Sequence, residues 1–137
     1  MQTEAALKRP SSTAAMIGSW AAVAGWMGVI FYMSSKTGMS VLSWMTYVAH
    51  FSEYVILALL LCLALRVSTK LDTRTLLLVA LLVASAYGIS DEFHQSFVPT
   101  RQPDVMDWVI DTAGAGVAAV LFGLVLRLRT SKEAAGP

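Results

Sequence analysis

The sequence predicts an all-α membrane protein of four transmembrane helices, with both termini cytoplasmic and a polar site in the outer half of the bundle. Three observations lead there. The 137 residues are 56% hydrophobic with a mean hydropathy of +0.63, well above an ordinary soluble domain. Four apolar runs each approach the roughly 20 residues that a helix needs to cross about 30 Å of hydrocarbon. The cations cluster at one set of ends of those runs, the pattern that orients inserted helices.

The first run, residues 14–33, follows Lys8 and Arg9. It is long for the apolar region of a secretory signal and no A-x-A site follows it, so it reads as a retained span. The second, residues 47–65, contains Cys62, the single cysteine, which has no disulfide partner and reads as a small core residue. The third and fourth are residues 75–94 and 106–126. Together they make one domain over residues 1–137, with residues 1–12 and 130–137 expected to be loose. Ala21-x-x-x-Gly25, Ala24-x-x-x-Gly28 and Gly114-x-x-x-Ala118 are small-residue pairs that let helices approach closely. Trp44, Tyr47 and Trp108 suit an interfacial aromatic belt.

Eight cations (Lys8, Arg9, Arg66, Lys70, Arg74, Arg127, Arg129 and Lys132) fall at the termini or between the second and third runs, and only Lys36 and Arg101 fall in the other two loops. That asymmetry places both termini in the cytoplasm. The acids divide the other way. Glu53, Asp91, Glu92, Asp104, Asp107 and Asp111 go with the outer half, while Glu4, Asp72 and Glu133 stay inside. Six acids against two bases give the outer half a formal charge of −4.

Depth sharpens the pattern. At about 1.5 Å per residue from the nearest arginine of each span, Glu53 lies roughly 20 Å, His50 roughly 24 Å, Asp91 roughly 26 Å, Asp111 roughly 24 Å and Asp107 roughly 30 Å along its helix. Three helices therefore carry ionisable groups at one level. Spacing adds direction: His50 and Glu53 are i, i+3; Asp91 stands three before His94 and four before Gln95; Asp107 and Asp111 are i, i+4. Groups this costly in lipid belong inside the bundle or beside a wet cavity. Asp104, after Pro103 and before an apolar run, makes a helix N-cap. Asp111 lies a turn too deep for capping.

The polar residues sit in the blocks "FYMSS" (Phe31 to Ser35), "HFSEY" (His50 to Tyr54) and "YGISDEFHQSFVPTRQPDVMDWVIDTAG" (Tyr87 to Gly114). From about Phe31 to Gly123 the chain resembles the VanZ-like family of small bacterial membrane proteins. The family's characteristic polar positions fall on His50, Glu53, Tyr54, Asp91, Glu92, His94, Gln95, Arg101, Asp107 and Asp111. Where many relatives have Gly before the arginine, this chain has Thr100. The resemblance implies a protein of the bacterial plasma membrane with a role in the cell envelope, and the family takes its name from reduced susceptibility to the glycopeptide teicoplanin. It implies no particular reaction.

The chemistry has to come from the residues. No Gly-x-Ser-x-Gly elbow, phosphate-cradling glycine loop or Cys-x-x-Cys pair is present, and the charge of +1 does not point to nucleic acid. Carboxylates, two imidazoles, a guanidinium and an amide remain. His50, Glu53, Asp91, Glu92, His94 and Asp111 are the candidates for proton transfer, and Tyr54, Gln95, Arg101 and Asp107 the candidates for holding a ligand. A divalent metal ion is a possible cofactor, with Asp91, His94, Glu53 and Asp111 as its ligands by analogy with carboxylate sites in helical bundles. Three functions fit: an enzyme acting on a membrane lipid or lipid-linked cell-wall intermediate, a non-enzymatic binder of a lipid or amphiphilic drug, and a proton-coupled transporter or transporter subunit.

The orientation is open to a direct check. In a Cys62→Ser background, single cysteines at Thr37 and Thr100 should react with an impermeant thiol reagent on intact cells, and one at Thr69 should not. Labelling at Thr69 alone would invert the topology.

Overall fold

A computed structural model describes residues 12–36, 43–134 and 136 as four helices: α1 (Thr13–Ser34), α2 (Ser43–Ser68), α3 (Thr73–Gln95) and α4 (Val105–Ala134). All four are long and apolar enough to cross a membrane. Lys8, Arg9 and Thr37 lie outside the described residues, as does most of the N-terminal stretch expected to be loose. The spans expected from the apolar runs fall within these helices, but α4 continues as helix through Ala134 rather than ending near residue 126. Its last two turns carry Arg127, Arg129 and Lys132, good helix formers whose charge suits the negative end of the helix dipole.

Side chains placed just before the first turn start three of the helices. Ser12 Oγ accepts from Ala15 N–H, Asp72 accepts from Arg74 and Thr75 N–H, and Asp104 Oδ1 accepts from Met106 N–H at 2.8 Å. Asp104 is thus the N-cap its position suggested. The Thr75 hydroxyl also donates to Asp72, and that bond holds the Asp72 carboxyl below the usual carboxylate range.

The packing is that of a membrane bundle, with large apolar side chains outside and small ones between the helices. Ile17, Leu82, Phe93 and Leu128 are exposed, whereas Ala58, Ala80, Ala84, Ala115 and Ala118 are fully buried. The α2–α4 interface is the most extensive, followed by α3–α4. Gly114 explains how α2 and α4 come so close: a Cβ there would stand 2.5 Å from the Phe51 carbonyl oxygen. Of the small-residue pairs, Gly114 and Ala118 are at an interface. Gly25 and Gly28 are not, since both are exposed and nothing approaches within 4 Å of a Cβ built on either. They leave a smooth outer strip on α1.

Helix α1 packs mainly on α2, touches α3 slightly, and makes no contact with α4 among the described residues. Directional bonds tie it down along its length. Trp20 Nε1 donates to Ser68 Oγ, Trp26 Nε1 to the Glu53 carbonyl and Tyr87 OH to the Met27 carbonyl. Trp44 and Tyr47 are exposed, as a belt requires. Trp108 is half-buried instead, with its indole N–H shared between the Ser85 carbonyl and hydroxyl oxygens, because its place on α4 faces α3.

Gly114→Ala should therefore lower stability by about 1 to 3 kcal/mol, the usual cost of overpacking, because backbone has to move and no side chain can yield. Gly116→Ala, with nothing within 4 Å, should be neutral or mildly stabilising. Thermal unfolding in detergent checks the pair.

Candidate functional site

The site forms where the N-terminal half of α2, the C-terminal half of α3 and the first turns of α4 meet. At its centre His50 on α2 reaches α4. Its Nδ1 lies 3.0 Å from Asp111 Oδ1, a hydrogen bond between buried side chains, and its Nε2 lies 3.7 Å from Asp107 Oδ2. Asp107 and Asp111 are one turn apart, so a single imidazole spans both. An ionised Asp111 can only accept, so in that state Nδ1 carries the proton and Nε2 faces the second carboxylate.

Helix α3 supplies the other wall. Gly88, Asp91, Glu92 and Gln95 are all buried. The Gln95 amide donates to Asp91 Oδ2 at 3.0 Å and to Glu92 Oε1 at 3.4 Å, which ties two neighbouring acids to one neutral group. Glu92 Oε2 accepts the backbone N–H of Asp104 at 2.7 Å, so the same carboxylate also pins the start of α4. A Cβ on Gly88 would come within 3.2 Å of both Asp111 Oδ2 and Trp108 Cδ1, so glycine is what admits Asp111 against α3. Asp91 lies one turn beyond Gly88 on the same face.

Among the described residues, four buried polar atoms have no hydrogen-bond partner: Tyr54 OH, Asp91 Oδ1, Asp107 Oδ1 and Asp111 Oδ2. They come from all three helices of the site. Tyr54 and Asp111 are fully enclosed. An unmet donor or acceptor in so apolar a bundle costs about 1 to 3 kcal/mol, so four of them mark a place built for more than packing.

Not every expected residue joins this centre. His94 turns towards α1, where its Nε2 lies 2.9 Å from Ser35 Oγ and its ring stacks tilted on Phe31 at 4.1 Å. Arg101 also goes to α1. Its Nε donates to the Lys36 carbonyl at 3.2 Å and its Nη2 to the Met33 carbonyl at 3.5 Å, which places a guanidinium at the negative end of that helix. The residue before it, Thr100, has φ 71°. That left-handed conformation suits glycine and costs a β-branched residue about 1 to 3 kcal/mol, held here by the loop that delivers Arg101. Glu53 is half-buried one turn after His50, and its carbonyl receives the Trp26 indole.

One trio of possible metal ligands stands out among the described residues. His50, Glu92 and Asp107 each offer an atom within 4.8 Å of the others, and all three are buried. Of Asp91, His94, Glu53 and Asp111, the set suggested by spacing, His94 is engaged at α1 and Asp111 is taken up by His50. Beside the trio runs a groove of about 310 Å³ between α3 and α4, walled by Ile89, Pro103, Val105 and Trp108 and reaching Glu92 and Asp104. The groove was not legible in the sequence, nor were the roles of Gly88 and Ser35. Both of those residues lie inside the quoted blocks, and a glycine three residues before a buried acid was the available signal.

A family model described as VanZ/LLP1 matches residues 19–126. No curated protein matches the chain, and no solved structure does.

The His50–Asp111 bond can be measured by a double-mutant cycle. Asp111→Ala or His50→Ala alone should cost about 3 to 5 kcal/mol, as for one half of a buried pair, and the double variant should cost less than the two combined by about 0.5 to 3 kcal/mol. Strict additivity in unfolding measurements would show that the contact carries no coupling.

Proposed function

This chain belongs to the VanZ/LLP1 family, and from that premise we propose that its buried acid site acts on, or binds, a lipid-linked substrate of the bacterial cell envelope. One observation carries the reading. Glu92 belongs both to the polar trio with His50 and Asp107 and to the wall of the apolar groove. An amphiphile would lay its chain along Ile89, Val105 and Trp108 and bring its polar group to the carboxylates. Ile89 and Val105 are exposed, so the chain would enter sideways from the lipid without leaving it.

In this reading His50 moves the proton. Asp111 holds Nδ1–H and orients the ring, and Nε2, facing Asp107, accepts or delivers a proton at the substrate. Gln95 keeps Asp91 and Glu92 in register. Arg101 and His94 act at a distance by anchoring the end of α1, rather than by holding an anion. The cation asymmetry of the sequence supports a site in the outer half of the membrane, within reach of envelope lipids from that side.

An acid cluster repels a phosphate, and the close approach of His50, Glu92 and Asp107 favours a second reading in which those residues hold a divalent cation that offsets their charge. Binding without chemistry needs the groove and the acids but not an oriented His50, so His50 separates an enzyme from a binder.

Neutral isosteres test the proposal. Asp111→Asn, Glu92→Gln and His50→Gln should each abolish the change in envelope-lipid profile, or in teicoplanin susceptibility, that the wild-type gene produces, while leaving expression intact. Asp104→Asn should be silent because asparagine caps as well as aspartate. Ile89→Trp should block the groove with the acids intact and give the same loss. Full activity in all three site variants would sink the proposal. Retained activity in His50→Gln alone would reduce it to binding, and indifference of the wild type to chelators would remove the metal.

A further inference from the structure

The other end of the bundle carries a second cavity that the acid site does not use. It encloses about 490 Å³ and is bordered by Arg66, Arg74, Arg127, Thr73, Leu77 and Leu124, among others. The three arginines come from three different helices, α2, α3 and α4. Among the described residues none of the three guanidiniums is within ion-pair distance of a carboxylate, and none makes a side-chain hydrogen bond. Asp72 is adjacent in sequence, but its oxygens are occupied by Thr75 Oγ1 and by the N–H groups of Arg74 and Thr75.

Arginines at the ends of transmembrane helices are ordinarily topology signals that reach individually into the headgroup layer. Here they converge. Lys70, Arg129 and Lys132 lie at the same end and do not line the cavity. Leu77, Val120, Leu124 and Leu126 form its apolar wall, with Thr73 and Thr130 beside the arginines, so a charged and polar rim sits above an apolar cleft between helices. Gly123 lets Leu77 pack close to the α4 backbone at the cleft: it is buried, and a Cβ there would meet Leu77 Cδ1 at 2.9 Å.

We propose that this cavity is a binding site for an anionic phospholipid, with the phosphodiester held by Arg66, Arg74 and Arg127 and an acyl chain lying in the cleft between α3 and α4. Charge complementarity selects the headgroup. Guanidinium groups pair bidentately with phosphate oxygens, whereas a zwitterionic headgroup would bring its own cation against three positive charges. The apolar wall selects a lipid over a free anion. The site is independent of the acid centre, so it can stand whether or not that centre proves catalytic.

The test uses the full purified chain in uncharged detergent micelles. Thermal unfolding is followed while phosphatidylglycerol, phosphatidylcholine or inorganic phosphate is added. Phosphatidylglycerol should raise the melting temperature by linkage, and the other two should not at equal concentration. In the Arg66→Gln, Arg74→Gln, Arg127→Gln triple variant the half-maximal concentration should rise at least about tenfold, given the energy each surface cation contributes to anionic lipid binding. The Lys70→Gln, Arg129→Gln, Lys132→Gln triple variant removes the same charge outside the cavity and should respond like the wild type. Arg74→Gln alone gives a smaller shift in the same direction if the triple variant fails to fold. Equal losses in the two triple variants would reduce the effect to diffuse attraction and overturn the site. A full response to inorganic phosphate would replace the lipid by a soluble anion, and no response to phosphatidylglycerol would end the proposal.

Discussion

A carboxylate inside an apolar bundle has to be paired, hydrogen-bonded or neutralised, and the rest of this structure is arranged around that requirement. Asp111 is fully buried on α4, and His50, on the helix that touches all three others, is its partner. That bond crosses the α2–α4 interface, the most extensive in the molecule, so helix packing and site geometry are set by the same contact. Asp91 and Glu92 meet the requirement differently, through the Gln95 amide and the N–H of Asp104. The atoms left without a protein partner among the described residues, one oxygen each on Asp91, Asp107 and Asp111 and the Tyr54 hydroxyl, gather at one place.

Such pairing is possible only because the helices come very close. Gly114 lets α4 pass against the α2 backbone at Phe51, and Gly88 lets Asp111 approach α3. Each glycine lies three residues from an acid of the site, Asp111 and Asp91. Close approach and charge burial are thus built by the same turns of helix. Helix α1 stands outside this core and is fastened by polar side chains at successive levels, from Trp20 at one end to Arg101 and His94 at the other.

The two ends of the bundle have opposite characters. Acids converge at one and, at the other, arginines that have no ion-pair partner among the described residues, and each convergence adjoins an apolar surface between α3 and α4. In the two readings proposed above, the helix pair offers an apolar path and the end determines which polar group is accepted. The acid end suits proton transfer or a cation-assisted contact, and the arginine end suits a fixed anion.

Apolar run length and charge placement determined most of the architecture, because a span of about 20 apolar residues has few alternatives to a membrane helix and charges at its ends resist burial. The four helices, the level shared by His50, Asp91 and Asp111, the cap at Asp104 and the family were all legible in the residues. Spacing within one helix could also show that His50 and Glu53, or Asp91 and His94, lie on related faces. It could not show which face meets which neighbour. The rotation of each helix about its axis is decided by packing against the others, and a turn of a few tens of degrees sends His94 to Ser35 while His50 goes to Asp111. Arg101 shows the same limit in a loop, where the backbone at Thr100, not the charge, determines that the guanidinium closes α1. Contacts between helices have no period along the chain, so only the tertiary structure could select His50, Glu92 and Asp107 from the acids and imidazoles that the sequence had gathered at one depth.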